Sequence, residues 1–462
     1  MDSQLSQCAG RESRRYVKII YYDFLLLEGT KLQVAAVSCT KPQITVKSNT
    51  QFQKKVLLVL VLAIALRLTW SALIPVVPVS DGDAYDILAR MLAEHGVYGW
   101  APDRPTAYWP VGTSAIYAAL YFFFGHNYTA IVILNIVLST AIVGLTIWLG
   151  RILFNDTIAL IAGGLMAIWP TEIGFVTILS SELPFTVFIL SGCVAWFNNR
   201  IAPWFIRAIV SGIAFGGAIY FRPAAMFLPV VAWLSATPDW RKLRNTVPML
   251  LVTIVMIGAT IAPWSMRNTK LFGHFVGLST NGGVSLWVGN NPNATGYYMD
   301  PYYKDVMPAS TEQLGEYERN KVFTRAALNY IIENPGSFVG RTLKKAALMY
   351  IRETTAVHWN VEGLKQRFGE GVLFPLKLLT QGFWSVILLL SIAGLILLFK
   401  KNGPVLTLTN PTVLILVYFT AFYGVFLVGD RYHFPSHCFI ALLAANIIQF
   451  VAAQRHPNLV RA

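Results

Sequence analysis

Charge is what this sequence lacks most. Of its 462 residues only 13% are Asp, Glu, Lys or Arg, about half the ~25% of an ordinary soluble domain. With 55% hydrophobic residues and a mean hydropathy of +0.53, a soluble globular enzyme and a disordered chain are both excluded. Cysteine is scarce as well: Cys8, Cys39, Cys193 and Cys438 are scattered too widely for a disulfide framework or a zinc site, and two of them lie inside apolar runs. Internal repeats and low-complexity runs are missing. The first residues lack the basic start, short apolar stretch and small-residue cleavage site of a secretory signal. The formal charge of +14 does not signal nucleic acid as a partner, because the basic residues stand between apolar runs, where membrane topology uses them. The composition is that of an all-α, polytopic membrane protein in contact with membrane lipids.

A helix needs about 20 mostly apolar residues to cross a bilayer. Such stretches lie at 56–74, 128–149, 204–220, 247–264, 378–399, 413–428 and 434–453, with weaker or proline-broken ones at 156–170, 178–197 and 223–237. That makes about ten transmembrane helices. One apolar stretch remains, Trp109–Phe124, short for a span. If it does not cross, Lys54, Lys55, Arg151, Arg200, Arg241, Lys242, Arg244, Lys400, Lys401 and Arg455 all share one side, the cytoplasm by the positive-inside rule. If it crosses, the clusters at 240–244 and 400–401 land outside. It is therefore read as a juxtamembrane or re-entrant helix on the outer face, with both termini cytoplasmic.

The expected organisation is then a cytoplasmic extension over 1–55, whose other reading is an over-long start of translation. A transmembrane module over 56–264 follows, then an extracytoplasmic segment over 265–373, further transmembrane helices over 374–453 and a cytoplasmic tail over 454–462. In the extracytoplasmic segment Ser310 and Gln313 form a capping-box pattern before a helix at 311–332. Asn334-Pro335 starts a second at 335–351.

The few charges near the membrane are the candidates for chemistry, because a charge there is expensive. Arg67 lies about 16 Å into the first span at 1.5 Å per residue, and reads first as a structural partner for an acid on a neighbouring helix. After that span comes Ser80-Asp81-Gly-Asp83-Ala-Tyr85-Asp86. Asp83 suits the N-cap of the following helix. Asp81 has no such duty, and a carboxylate at a partly dry surface beside a like charge suits a general base. Arg222, Arg267 and Arg431 are isolated at the outer ends of spans. Each can anchor a helix end by snorkelling, but three on one face suggest an anionic, phosphate-bearing ligand. Glu182 begins the fourth span near the same face, to bind an acceptor, to assist Asp81 or, the simpler role, to pair with an arginine. The seven histidines show no ligand spacing. Asp81-Gly-Asp83 looks like the paired acids of metal-dependent sugar transfer, so metal dependence stays open and no other cofactor is implied.

Taken in order, these residues resemble the GT-C fold, polyprenyl-phosphate-sugar-dependent glycosyltransferases, most of all the bacterial enzymes similar to protein O-mannosyltransferases (family 39), the lipid A aminoarabinose transferases and the rhizobial lipopolysaccharide type. The matching stretches are Asp81…Tyr85 with Leu88-Ala89 and Gly96-Val-Tyr98; Pro105-Thr-Ala…Trp109-Pro-Val-Gly112, Phe124-Gly125 and Ser181-Glu182-Leu-Pro-Phe185; then Phe221-Arg222-Pro223, Pro263-Trp264-Ser-Met-Arg267-Asn268, Ser279-Thr-Asn-Gly-Gly283…Gly289-Asn-Asn-Pro292 and Asp430-Arg431-Tyr432…Pro435. Many members have Pro-Pro where this chain has Trp109-Pro110, a departure that bears on the loop. The resemblance implies the GT-C architecture, with the outer juxtamembrane helix and a small extracytoplasmic helical segment. It implies inverting transfer from a polyprenyl-phosphate-linked sugar donor to a glycan, lipid or protein acceptor outside the plasma membrane. Asp81 then matches the catalytic aspartate, with Asp83 and Glu182 beside it in the catalytic set. Tyr85, Arg222, Arg267, Asn268, Arg431 and Tyr432 form the substrate-binding set. A transporter or flippase of a lipid-linked glycan is the alternative, weakened by the absence of the paired halves such proteins show. A membrane scaffold is a third reading, and it leaves the outer acids and arginines without a role.

Overall fold

A computed structural model describes residues 46–455, apart from 201, 238, 303–305, 309, 310 and 312. The expectations for residues 1–45, for 456–462 and for Ser310 lie outside the described residues. The chain begins with α1 (Val46–Leu73), stopped by Pro75 and Pro78, then α2 (Asp81–His95), a small antiparallel hairpin of β1 (Gly99–Ala101) and β2 (Arg104–Pro105), and α3 (Gly112–Phe124). Next come α4 (Tyr128–Leu153), α5 (Asp156–Ile168), α6 (Pro170–Gly174), α7 (Glu182–Phe197), α8 (Trp204–Ile219), α9 (Leu228–Leu234), α10 (Trp240–Arg244) and α11 (Val247–Phe272). The polar segment supplies α12 (Gly282–Gly289), α13 (Glu316–Glu333), α14 (Pro335–Leu348), α15 (Thr355–Trp359) and α16 (Val361–Phe368). Then follow α17 (Leu373–Leu408), α18 (Pro411–Val425) and α19 (His437–Arg455).

Among the described residues, five helices are long and apolar enough to cross a membrane: 50–73, 128–153, 247–272, 370–408 and 434–455. A sixth is α5 with the helical stretch Pro170–Thr177, bent by 52° where Trp169 meets Pro170. The other four expected spans are shorter apolar helices, α7, α8, residues 223–234 and α18. Prolines mark the ends of these helices: Pro184 lies in the first turn of α7, Pro223 follows the end of α8 and Pro411 opens α18, and none can continue a hydrogen-bonded ladder backwards. α3 has 13 residues, a rise of about 20 Å against the ~30 Å hydrocarbon core. It buries Tyr117 and Tyr121 and exposes Phe122, Phe123 and Phe124.

Two sequence expectations about helix starts are corrected. α2 begins at Asp81, after a Ser80 with φ 56° and ψ −124°, so Asp83 sits inside the first turn and is no N-cap. α13 begins at Glu316 behind Gly315, with no side-chain cap, not at 311. Asn334 precedes α14 as expected, but its amide donates back to Tyr330 O instead of capping.

α8 packs between α7 and α11, α4 against α5 and α7, and α19 against α17 and α5. Small residues set these approaches, as is usual where helices pack in lipid. A Cβ on Gly212 would lie 2.7 Å from Thr253 O, and one on Gly394 only 1.9 Å from Leu443 O. Arg67 is fully buried among these helices. Its guanidinium donates to Ser139 Oγ at 2.7 Å and to Ala167 O at 3.0 Å and Met166 O at 3.3 Å. It thus satisfies the carbonyls that the break before Pro170 leaves open.

Candidate active site

Asp81 opens α2, so its carboxylate stands at the positive end of a helix, on the wall of a cavity of about 770 Å³. Its Oδ2 accepts from Arg431 Nη2 at 2.6 Å, with the two side chains 24% and 19% exposed. Arg431 reaches there from the loop between α18 and α19 and lies over Trp359, 4.6 Å from the ring centroid. Its Nη1 is 4.0 Å from Glu182 Oε1. Glu182 is fully buried at the start of α7 and accepts from Arg222 Nη2 at 2.5 Å. Arg222 is oriented further by Nε donating to Ser181 Oγ at 2.9 Å, while its Nη1 makes no hydrogen bond among the described residues. The result is a chain of alternating charge, Asp81–Arg431–Glu182–Arg222, with no net charge. Burial alone would lower both arginine pKa values. Asp81 acting on Arg431, and Glu182 acting on Arg222, outweigh it and leave both raised.

Aromatic rings frame this chain. Tyr432 stacks on Tyr423 at 4.7 Å and lies under Arg222 and Arg431, 5.5 and 5.3 Å from the guanidinium carbons. Tyr85, one turn along α2 from Asp81, is buried and tilted against Trp109. Burial, with the nearby Asp81 charge adding, pushes its phenol above the ordinary range, so Tyr85 is a neutral hydrogen-bonding wall. Gly112 joins the two halves of the site: its N–H donates to Tyr220 O at 2.8 Å, where a Cβ would come within 2.6 Å.

Of the residues singled out from sequence, the structure brings Asp81, Glu182, Tyr85, Arg222, Arg431 and Tyr432 together. It places the other three elsewhere. Asp83 is exposed and is not among the cavity-lining residues. Arg267 donates to Thr106 O at 2.7 Å and Tyr98 O at 3.1 Å, and Asn268 is buried with its amide on Leu278 O. Both fasten loops, and neither lines the cavity. The surroundings of Asp81 do not fit a divalent ion either, because the carboxylate faces a guanidinium and its sequence partner Asp83 points elsewhere.

Sequence reasoning missed Arg352, His358 and Lys377, which also line the cavity. The signal that selected Arg222 and Arg431, an isolated basic residue near the end of an apolar stretch, applies equally to Arg352 and Lys377. It also missed Glu316. That carboxylate accepts from Ala107 N at 2.9 Å and from the hydroxyls of Thr106 and Thr280, each at 2.5 Å. It thereby holds the strand that leads to Tyr108 and Trp109, for which no sequence signal exists.

Residues 108–266 match the family model PMT_2, "Dolichyl-phosphate-mannose-protein mannosyltransferase". The sequence matches no curated protein. Among solved structures, the chain is similar to the archaeal oligosaccharyltransferase AglB of Archaeoglobus fulgidus, in complex with an inhibitory peptide and a dolichol-phosphate. The TM-score is 0.50 at 12% identity, over 90% of this chain and 52% of that one. The chain therefore spans about half the length of AglB, and the likeness shows a shared fold. It is also similar to ArnT of Cupriavidus metallidurans bound to undecaprenyl phosphate, with a TM-score of 0.40 and 14% identity over 87% of this chain and 79% of that one.

Proposed function

We propose that this chain, a GT-C-fold membrane protein whose residues 108–266 match the PMT_2 family model, transfers a sugar from a polyprenyl-phosphate donor to a hydroxyl group of a glycan, lipid or protein acceptor. The reaction takes place at the extracytoplasmic face of the plasma membrane. The observation that carries this reading is the ion pair of Asp81 and Arg431 at 2.6 Å on the cavity wall, backed by Glu182 and Arg222. A carboxylate and two guanidinia at one level suit a donor whose tail stays in lipid and whose phosphate and sugar lie at the surface. The AglB structure, which shares the fold, holds a dolichol-phosphate, a carrier of the same chemical class.

In the proposed reaction Asp81 takes the proton of the acceptor hydroxyl. The oxygen attacks the anomeric carbon, the bond from that carbon to the phosphate oxygen breaks, and polyprenyl phosphate departs. A single displacement of this kind inverts the anomeric centre. The phosphate gains one negative charge as it leaves, and Arg431 and Arg222 stabilise that charge where it develops, usually the largest catalytic contribution. Binding the donor phosphate draws Arg431 off Asp81 and frees the carboxylate to act as the base.

The test is Asp81→Asn in purified protein given a radiolabelled polyprenyl-phosphate sugar and acceptor. Loss of the base lowers transfer by about 10²–10⁴-fold, with donor binding kept. Transfer within a few fold of wild type would remove Asp81 from the mechanism. Transport of intact donor without release of polyprenyl phosphate would replace the transferase by the flippase.

A further inference from the structure

Behind the cavity wall lies a second polar cluster that the transfer reaction does not use. Glu353 stands between Arg352 and Thr354, which line the cavity, and His433 follows Arg431 and Tyr432, which also line it. His437 opens α19. Glu353, His433 and His437 are at most 2% exposed, none lines the cavity, and their ligand atoms lie within 4.8 Å of one another.

We propose that Glu353, His433 and His437 bind a divalent transition-metal ion, zinc by the chemistry of the donors, which pins the Arg352 loop to the Arg431 loop. The orientation of the two rings is the main argument. His433 Nδ1 faces Met349 O at 2.5 Å, and a carbonyl can only accept, so Nδ1 carries the hydrogen. His437 Nδ1 faces Glu172 Oε1 at 2.9 Å, with the same consequence. In both neutral rings the Nε2 lone pair is left pointing at Glu353. Metal-bound histidines show this pattern, the outer nitrogen fixed by a carbonyl or carboxylate and the inner one free for the ion.

The His437 distance and the charge agree. His437 Nε2 is 3.3 Å from Glu353 Oε1 yet forms no hydrogen bond, and about 3.3 Å separates two ligands of a tetrahedral ion with bonds of ~2.0 Å. His433 Nε2 is in direct hydrogen-bond contact with Glu353 Oε2, so the carboxylate turns away from that ring to admit the ion. Without an ion, the contact of His433 Nε2 with Glu353 Oε2 requires an imidazolium, because Nδ1 already carries a hydrogen, and a charged ring in a dry site is costly. An ion lets both rings stay neutral. Trp384 stacks on His433 and Trp169 on His437, each at 4.4 Å, and Trp169 Nε1 donates to Glu353 Oε1 at 3.3 Å, which fixes the carboxylate and keeps water out. Two imidazoles and one carboxylate suit zinc among the common divalent ions. The remaining position falls to water or to the second oxygen of Glu353. Because the cluster is closed off from the cavity, the ion positions residues and does not touch substrate.

The test is metal content of the full chain, purified in detergent through a tag without histidine, loaded with zinc chloride and dialysed. Wild type and a surface control, His95→Ala, retain one zinc per chain, while Glu353→Gln and His437→Ala retain none. Glu172→Gln, which removes only the charge of the outer partner of His437, weakens zinc about 10-fold. Cobalt-loaded wild type shows the strong visible d–d bands of a low-coordinate site, a readout that depends on no variant folding. Wild type that keeps no zinc and shows no such bands overturns the proposal, as does equal retention in Glu353→Gln. Either result leaves the transferase reading standing, since the readout is metal and not transfer.

Discussion

Replacing Glu182 with Gln tests the charge chain that organises the cavity. Glu182 is fully buried and serves two guanidinia, Arg222 at 2.5 Å and Arg431 at 4.0 Å. The substitution keeps size and one acceptor oxygen but removes a charge, so the four-residue chain passes from neutral to +1. Unit charges about 4 Å apart at an effective dielectric constant near 20 interact by about 4 kcal/mol, and breaking one partner of a buried pair costs about 3–5 kcal/mol. With the amide retaining part of one hydrogen bond, about 3 kcal/mol is expected. The assay is thermal unfolding of the detergent-solubilised protein by intrinsic fluorescence, with and without polyprenyl phosphate. The variant unfolds well below wild type when unliganded, and added polyprenyl phosphate raises its midpoint more than that of wild type, because the ligand now supplies the missing negative charge. A variant that unfolds with wild type, or that gains no more from the lipid phosphate, would show that Glu182 is not the counter-ion of the site.

Gly112→Ala drives a methyl group to within 2.6 Å of Tyr220 O, two residues before Arg222; steady-state kinetics should show a raised KM for the donor, and unchanged kinetics would mean that this contact does not position Arg222. Ser80 holds φ 56°, a strained setting for a non-glycine residue that costs on the order of 1–3 kcal/mol, so Ser80→Gly should raise the unfolding midpoint; a lowered midpoint would contradict the strain. Lys345 is buried, its amine donating to Gly289 O at 3.1 Å and Phe426 O at 2.6 Å. Burial, with the charge of Arg341 adding, lowers it from 10.5 to about 8. Between about pH 8 and pH 10 the unfolded chain therefore binds a proton that the folded one does not, and stability rises with pH by up to about 1.4 kcal/mol per unit. Unfolding midpoints across that range should rise in wild type and stay flat in Lys345→Met, and a flat wild type would mean that the carbonyls keep the ammonium charged.

What was legible in the sequence followed from cost. Long apolar runs such as those of α4 and α11 have no soluble alternative, so they stand out. Asp81, Glu182, Arg222 and Arg431 stand out because charges at span ends need a reason. The same signal failed for Arg267, since an isolated arginine looks identical whether its guanidinium meets a carboxylate or the carbonyls of Tyr98 and Thr106. It failed for Asp83 because the helix starts three residues earlier than a cap at Asp83 requires, with Ser80 in the cap position, which leaves Asp83 exposed in the first turn. The four shorter helices lie close to the stretches read from sequence, as α8 does at Trp204–Ile219 against 204–220, and composition reports how apolar such a stretch is without making it a full-length span. His433 and His437 are four apart, but a 3-10 turn at Phe434–Ser436 separates them, and Glu353 comes from 80 residues earlier. No local spacing rule reaches that far.

The neutrality of the Asp81–Arg431–Glu182–Arg222 chain bears directly on how such a site avoids wasted reaction. A free carboxylate base beside an open cavity would accept protons from water, and free guanidinia would bind any surface phosphate. Pairing each acid with an arginine suppresses both while the cavity is empty. A donor phosphate exchanges one arginine contact for another, so the cost of separating Arg431 from Asp81 is offset by the new ion pair, and only a ligand that carries its own negative charge meets that cost. In the proposed mechanism base activation is therefore tied to donor binding through Arg431, which touches both. Arg431→Lys should loosen the tie: a lysine can hold the phosphate or Asp81 as a point charge but lacks the second arm that now reaches toward Glu182. Hydrolysis of the donor by water, measured against transfer to acceptor, should then rise, and an unchanged ratio would break the link between pairing and activation.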